Sequence, residues 1–267
     1  MVFKGAYTGL KWISGLAIGL LISLSVMAQP AAYTVQNAHS HNDYEQQRPF
    51  RAAFEQEFGS IEADVFFVND DLPVAHNARD IRPERNLKQL YLDPIRQLIR
   101  ENNGTIYKDP GKKLLLLIDC KTEGKATLDA IIKQLEHYPE ITGNKTVRIV
   151  ITGNQPDKDS LAAYPGFIWF DGDLAYHYKP ENLEKVALFS ANFRQYSSWN
   201  GSGQADAAST KALEAAIRHA HEAGKPIRFW GAPDNTVAWT YFKKLGTDYI
   251  NTDKIPELAR FLREGAR

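Results

Sequence analysis

The chain has 267 residues, with 32 basic and 32 acidic side chains, and is formally neutral at pH 7. That balance, with a pI near 7.1, argues against long-range attraction to nucleic acid or to an acidic membrane. A lone cysteine, Cys120, excludes an intrachain disulfide, and 43% hydrophobic residues fit an ordinary globule rather than a disordered chain.

The first 28 residues stand apart. Lys4 and Lys11 precede an apolar run from Trp12 to Met27, and Val26 and Ala28 are small residues before a cleavage point. This pattern predicts an export signal cut after Ala28, hence a periplasmic or extracellular protein. A retained membrane anchor is the competing reading. It is disfavoured by the short run and by Ser14, Gly15, Gly19 and Ser23 within it. Residues 29–267 remain as one domain, about 240 residues, long enough for a large core. No later segment resembles a spanning helix.

Strand-like apolar runs follow at Tyr33–Ala38, Ser60–Phe67, Lys113–Asp119, Val147–Thr152, Gly166–Phe170, Val186–Ala191, Pro226–Trp230 and Asp248–Asn251. Helical patterns cover Pro49–Phe58, Leu87–Asn102, Ala126–His137, Ala207–Ala223, Asn235–Leu245 and Pro256–Gly265. Gly224 and Gly246 are helix stops, and Pro256 suits a first helical turn. Eight strand candidates with helices between them predict an α/β fold, best a (β/α)8 barrel. A doubly wound open sheet is the runner-up, but neither GxGxxG nor GxxxxGK[ST] is present to support it. Asn77–Asn86 and Asn192–Asp206 read as irregular loops.

Polar residues recur where the apolar runs end. Glu62 and Asp64 are two apart in a strand and so share a face. Two buried carboxylates need a compensating cation or donor. Asp119, closing another strand, can complete an all-oxygen set for Mg²⁺ or Ca²⁺; zinc ranks second for so hard a set. Edge-strand exposure is the plainer reading of these acids, and flanking Ile61, Val65, Phe66 and Phe67 count against it. His39 and His41 are also two apart, and His76 follows Leu72–Ala75. Imidazoles from these two regions suit proton transfer on either side of a phosphoryl group. Lys121 shares a face with Asp119 and offers charge to a phosphate, or else forms a surface ion pair. Cys120 between them points away and reads as packing. Trp230 ends a strand and can wall a site, whereas Trp239 reads as packing.

These residues resemble the glycerophosphodiester phosphodiesterase and phosphatidylinositol phospholipase C-like superfamily. Ala38-His39-Ser40 is similar to the start of its Ala-His-Arg-Gly segment. Glu62-Ala63-Asp64-Val65 and Val74-Ala75-His76 are similar to Glu-x-Asp-Val and Val-x-His. Asp119-Cys120-Lys121 resembles its acidic-x-Lys. Gly246-Thr247-Asp248-Tyr249-Ile250-Asn251-Thr252-Asp253 resembles its closing segment. The opening Ala-His-Ser-His-Asn-Asp-Tyr is similar to a branch that includes fungal proteins named for altered mitochondrial inheritance. The resemblance implies a barrel with its site at the C-terminal strand ends. It implies His39 and His76 as the acid/base pair, Glu62, Asp64 and Asp119 as metal ligands, and Lys121 as a phosphate contact.

The sequence departs from the family where Ser40 and His41 replace Arg-Gly, and where Arg48-Pro49-Phe50 replaces Pro-Glu-Asn-Thr. His41 and Arg48 therefore stand as further substrate contacts, beside Trp230, with Asn42 or Asp43 offered for the missing acid. The expected function is a metal-dependent phosphodiesterase acting on a glycerophosphodiester, a phosphoinositide or a related small or lipid-headgroup diester. The alternatives are a phosphomonoesterase and a non-catalytic barrel that binds a phosphorylated or carbohydrate ligand.

Overall fold

The computed structural model describes residues 1–2, 30 and 32–265. The expected export signal lies, apart from Met1 and Val2, outside the described residues. In chain order the main elements are β1 (Ala38–Ser40), α1 (Arg51–Glu55), β2 (Ser60–Val65), α2 (Asp93–Glu101), β3 (Leu114–Cys120), α3 (Gly124–Leu135) and α4 (Pro139–Thr142). Then come β4 (Val147–Gly153), β5 (Ile168–Gly172), α5 (Pro180–Glu184), β6 (Val186–Asn192), α6 (Ala207–Glu222), β7 (Ile227–Trp230), α7 (Thr236–Leu245), β8 (Ile250–Thr252) and α8 (Ile255–Glu264).

The eight strands are parallel in the order β7-β6-β5-β4-β3-β2-β1-β8. An isolated parallel bridge, Arg228 to Tyr249, brings the two ends together, so the sheet is a nearly closed barrel ringed by helices. This is the (β/α)8 architecture expected from the alternation of runs.

Both faces of the strands are covered, which explains the near-continuous apolar run Leu114–Ile118. Leu114, Leu116, Ile118 and Cys120 join the large core packed against the helices. Leu115 and Leu117 alternate inward, meeting Val150, Leu188, Trp169 and Tyr249 in a separate interior cluster. Cys120 thus faces the helix layer, and burial pushes its thiol pKa up to about 12, as a packing residue requires. Above the apolar interior, the inward positions turn polar: Ser60, Glu62, Thr152, Asp171 and Arg228 are all buried.

The short helices α4 and α5 fall where the sequence predicted none, and three other elements differ from expectation for a local reason. The first strand is Ala38–Ser40, not Tyr33–Ala38, because Thr34 caps a 3-10 turn over Val35–Asn37. Helix α1 is shorter than Pro49–Phe58, since Phe50 (φ 62°) and Glu57 (φ 62°) adopt left-handed backbone at either end. The segment Leu87–Asn102 begins as a π-helical stretch, Lys88–Leu92, before α2. No helix among the described residues is long and apolar enough to cross a membrane.

Candidate functional site

The C-terminal ends of the strands surround a cavity of about 560 Å³. It is lined, among others, by His41, Glu62, His76, Asp119, Lys121 and Trp230. Parallel register sets β2 beside β3 so that Asp64 pairs with Asp119 and Glu62 sits one inward step below. Carboxylate oxygens of Glu62, Asp64 and Asp119 all lie within 4.8 Å of one another. The trio can hold a divalent cation.

The electrostatics fit that use. Burial opposes ionisation of Glu62, but Arg228 and His39 hold its pKa well below the usual carboxylate range. Arg228 Nη1 donates to Glu62 Oε2 at 2.7 Å. Burial raises the Asp64 pKa, and the hydrogen bonds from Lys121 and Tyr44 offset this only in part. Asp64 Oδ2 accepts from Tyr44 Oη at 2.7 Å, and Lys121 Nζ lies 2.8 Å away. Asp64 Oδ1 is buried with no hydrogen-bond partner. An orphaned carboxylate oxygen beside two other carboxylates is the donor a hard cation would use.

Lys121 also donates to Asp119 Oδ2 at 3.0 Å. Burial works against its charge, but Asp64 and Asp119 outweigh it and its pKa is raised. It is a permanent cation at the cavity rim. His76 is half exposed and lines the cavity; its Nδ1 lies 3.1 Å from Tyr44 Oη and 3.4 Å from Asp64 Oδ2.

The two histidines of the first motif separate by one tier. His39 on β1 is fully buried. Its Nδ1 is 2.7 Å from Ser60 Oγ, and its Nε2 is 3.0 Å from Glu62 Oε2 and 2.6 Å from Arg228 Nη1. Burial and the Arg228 charge push its pKa down to about 3, so the ring is neutral. It does not line the cavity. His41 follows β1, and its backbone N–H continues the β8 pairing by donating to Thr252 O at 3.1 Å. Its Nδ1 is 2.9 Å from Asp253 Oδ1. Burial opposes its charge, but Asp253 and Glu62 leave the pKa raised.

Trp230 lines the cavity and is 43% exposed, a free ring face for part of a ligand. Arg48 is not brought to the site: it is exposed and ion-paired with Glu55. Asp43 is not there either. It is buried and accepts from Phe50 N–H at 2.5 Å, Ser40 Oγ at 2.8 Å and Tyr91 Oη at 3.0 Å, so it ties down the loop after β1. Asn42 does line the cavity.

Sequence reasoning passed over Arg228 and Asp171. Arg228 alternates inward from Ile227 and Phe229 and also donates through Nε to Ser190 Oγ at 2.6 Å. Asp171, at the end of β5, accepts from Thr152 Oγ1 at 2.9 Å, and burial raises its pKa to about 6. A charged residue alternating into an otherwise apolar strand was the signal available for both.

Comparison with known proteins bears on the family and the fold. Residues 31–158 match the model of the AIM6-like phosphodiesterase domain. Altered inheritance of mitochondria protein 6 of Eremothecium gossypii is 28% identical over 276 residues, covering 84% of this chain and 68% of that protein. Its counterpart in Kluyveromyces lactis is 27% identical over 302 residues, covering 85% of this chain and 72% of that protein. The crystal structure of a glycerophosphodiester phosphodiesterase from Parabacteroides distasonis superposes with a TM-score of 0.53 at 13% identity, over 90% of this chain and 100% of that one, a likeness of fold. The chain belongs to the AIM6-like branch of the glycerophosphodiester phosphodiesterase and phosphatidylinositol phospholipase C-like superfamily.

Proposed function

We propose that the protein is an exported, metal-dependent phosphodiesterase acting on a small or lipid-headgroup phosphodiester such as a glycerophosphodiester or a phosphoinositide. The observation that carries this is the unpartnered Asp64 Oδ1 beside Glu62 and Asp119, in a cavity that also holds His76 and Lys121. Glu62, Asp64 and Asp119 would hold one cation, Mg²⁺ or Ca²⁺ before Zn²⁺ on the hardness of the donors. When bound there, such a cation would supply positive charge to a phosphoryl group and would lower the pKa of a nearby hydroxyl.

This chain's own groups do the rest. Lys121 and Arg228 place two fixed cations around the phosphate and stabilise charge that grows on it. His76, with one of the two histidines of the first motif, His39 or His41, moves protons to and from the ester oxygens. Trp230 packs against the group esterified to the phosphate. Export through residues 1–28 belongs to the same proposal and is checked by the N-terminal sequence of the secreted protein.

The test is turnover of glycerophosphodiesters, phosphatidylinositol and a chromogenic diester, with and without EDTA, and with phosphomonoesters alongside. Diester turnover that EDTA abolishes and the metal restores supports the reading. Faster monoester turnover would make it a phosphomonoesterase. The exposed Trp230 face favours a second reading, a barrel that binds a phosphorylated or carbohydrate ligand. Binding without turnover across metals and substrates would select it.

A further inference from the structure

We infer that His41, oriented by Asp253, is the histidine that takes the proton from the attacking hydroxyl, and that His39 is a buried structural residue of the barrel. This rests on the phosphodiesterase reading above and assigns one of its parts.

Three observations place His41 in the role. First, it stands two residues after His39, just past the end of β1, and so nearer the mouth by roughly 6–7 Å if the strand spacing holds. The His41 N–H bond to Thr252 O keeps that direction beyond β1. Second, His41 shares the lining of the cavity with His76 and with Glu62 and Asp119 of the acidic trio, whereas His39 does not reach it. Third, the ring nitrogens are used differently. Both nitrogens of His39 face partners, whichever carries the proton. In His41 only Nδ1 is engaged, at 2.9 Å from Asp253 Oδ1. A carboxylate on Nδ1 fixes the tautomer with Nδ1–H and turns the Nε2 lone pair outward, the arrangement of a carboxylate-oriented base.

The step balances. The attacking hydroxyl gives its proton to His41 Nε2 as its oxygen bonds to phosphorus. The ester P–O bond opposite breaks, and the leaving oxygen takes its electron pair and a proton from His76 Nε2. Proton exchange with solvent then returns both rings to their starting states. Asp253 touches no reacting atom and is a positioning residue. The charged and titratable groups that face His41 are Asp253 after β8, Glu62 on β2, Arg228 on β7 and His39 on β1.

The experiment compares the wild type with His41→Ala, His41→Gln, His39→Gln, His76→Ala and Asp253→Asn. Substrates are hydroxyl-bearing phosphodiesters with either an alkyl or a p-nitrophenyl leaving group. Melting with and without Mn²⁺ reports folding and metal binding separately. Both His41 variants should melt like the wild type, keep the Mn²⁺-induced shift and lose kcat roughly a hundred- to ten-thousandfold on both substrates. The His76→Ala loss should shrink with the p-nitrophenyl group, which needs no acid to leave. Asp253→Asn should move the acid limb of the pH–rate profile to lower pH, which a loss of packing alone would not do.

Folded His41 variants that keep kcat within about tenfold of the wild type overturn the assignment, whatever His39→Gln does. So does a His41 loss that vanishes with the p-nitrophenyl substrate. A wild type with no metal-dependent turnover of any diester would instead overturn the phosphodiesterase reading itself, and the role of His41 with it.

Discussion

A side chain at Gly153 would collide with Asp119: a Cβ built there lies 2.0 Å from Asp119 Oδ1. Gly153 closes β4 with φ +72°, and its register partner in β3 is Cys120, next to the acid. Gly153→Ala therefore does two things. It strains left-handed backbone by about 1–2 kcal/mol, and it pushes one candidate metal ligand off its position. Gly104→Ala is the control, because Gly104 has φ +100° but nothing within 4 Å of its would-be Cβ. Both variants should melt lower. Only Gly153→Ala should also lose the Mn²⁺-induced rise in melting temperature.

Removing a ligand oxygen should have the same signature without the strain. At a Mn²⁺ concentration about 100 times Kd, occupancy stabilises the native state by roughly 2.7 kcal/mol. Asp64→Asn should abolish most of that gain while leaving apo stability near or above the wild type. Asp64 is buried with its pKa already raised, so a neutral amide relieves a desolvated charge. Thermal melting across a Mn²⁺ series, with EDTA as zero point, measures both quantities.

Arg228 and Glu62 are each almost fully buried, with side-chain exposures of 4% and 6%. Arg228→Met should destabilise the fold by roughly 3–5 kcal/mol, because buried Glu62 would lose its guanidinium partner and keep only the His39 ring beside it. Arg228→Met combined with Glu62→Met should recover much of that loss. Urea unfolding of the two single variants and the double variant closes the cycle. A double variant no more stable than Arg228→Met would show that packing rather than charge sets the cost.

Asp43 gives a pH dependence of definite sign. Burial raises its pKa from 3.8 to about 6, and the three hydrogen bonds it accepts do not reverse this. A raised folded pKa means that its contribution to stability is complete below pH 3.8 and is lost as pH rises through about 6. The full span is roughly 3 kcal/mol. Asp43→Asn does not titrate. The stability gap between wild type and variant should therefore shift in favour of the variant from pH 4 to pH 7, as read from urea midpoints at each pH.

Strand alternation made much of this architecture readable. The Leu114–Ile118 run, the Glu62/Asp64 spacing and the Asp119/Lys121 pair all follow from period two, and the barrel brings them together. Spacing could not separate His39 from His41, because both share a face and only the height along the barrel differs. Arg48 was placed by its neighbours in sequence, whereas Glu55, its partner, meets it only once α1 has formed. Asp43 looked available for chemistry, but its three donors come from Ser40, Phe50 and Tyr91, the last on a distant π-helical stretch. Arg228 was hidden in a run that otherwise reads as apolar, since its acidic partner lies 166 positions away.

The seam between β7 and β8 has a consequence for motion. Every other neighbouring pair of strands shares at least two registered positions, whereas these two meet at one bridge, Arg228 to Tyr249. Breathing of the wall should start along this slit, with amide hydrogens there exchanging ahead of those in β2–β4 in a hydrogen-exchange measurement. Since the same Arg228 reaches across to Glu62, each such opening would also withdraw a positive charge from the floor of the cavity.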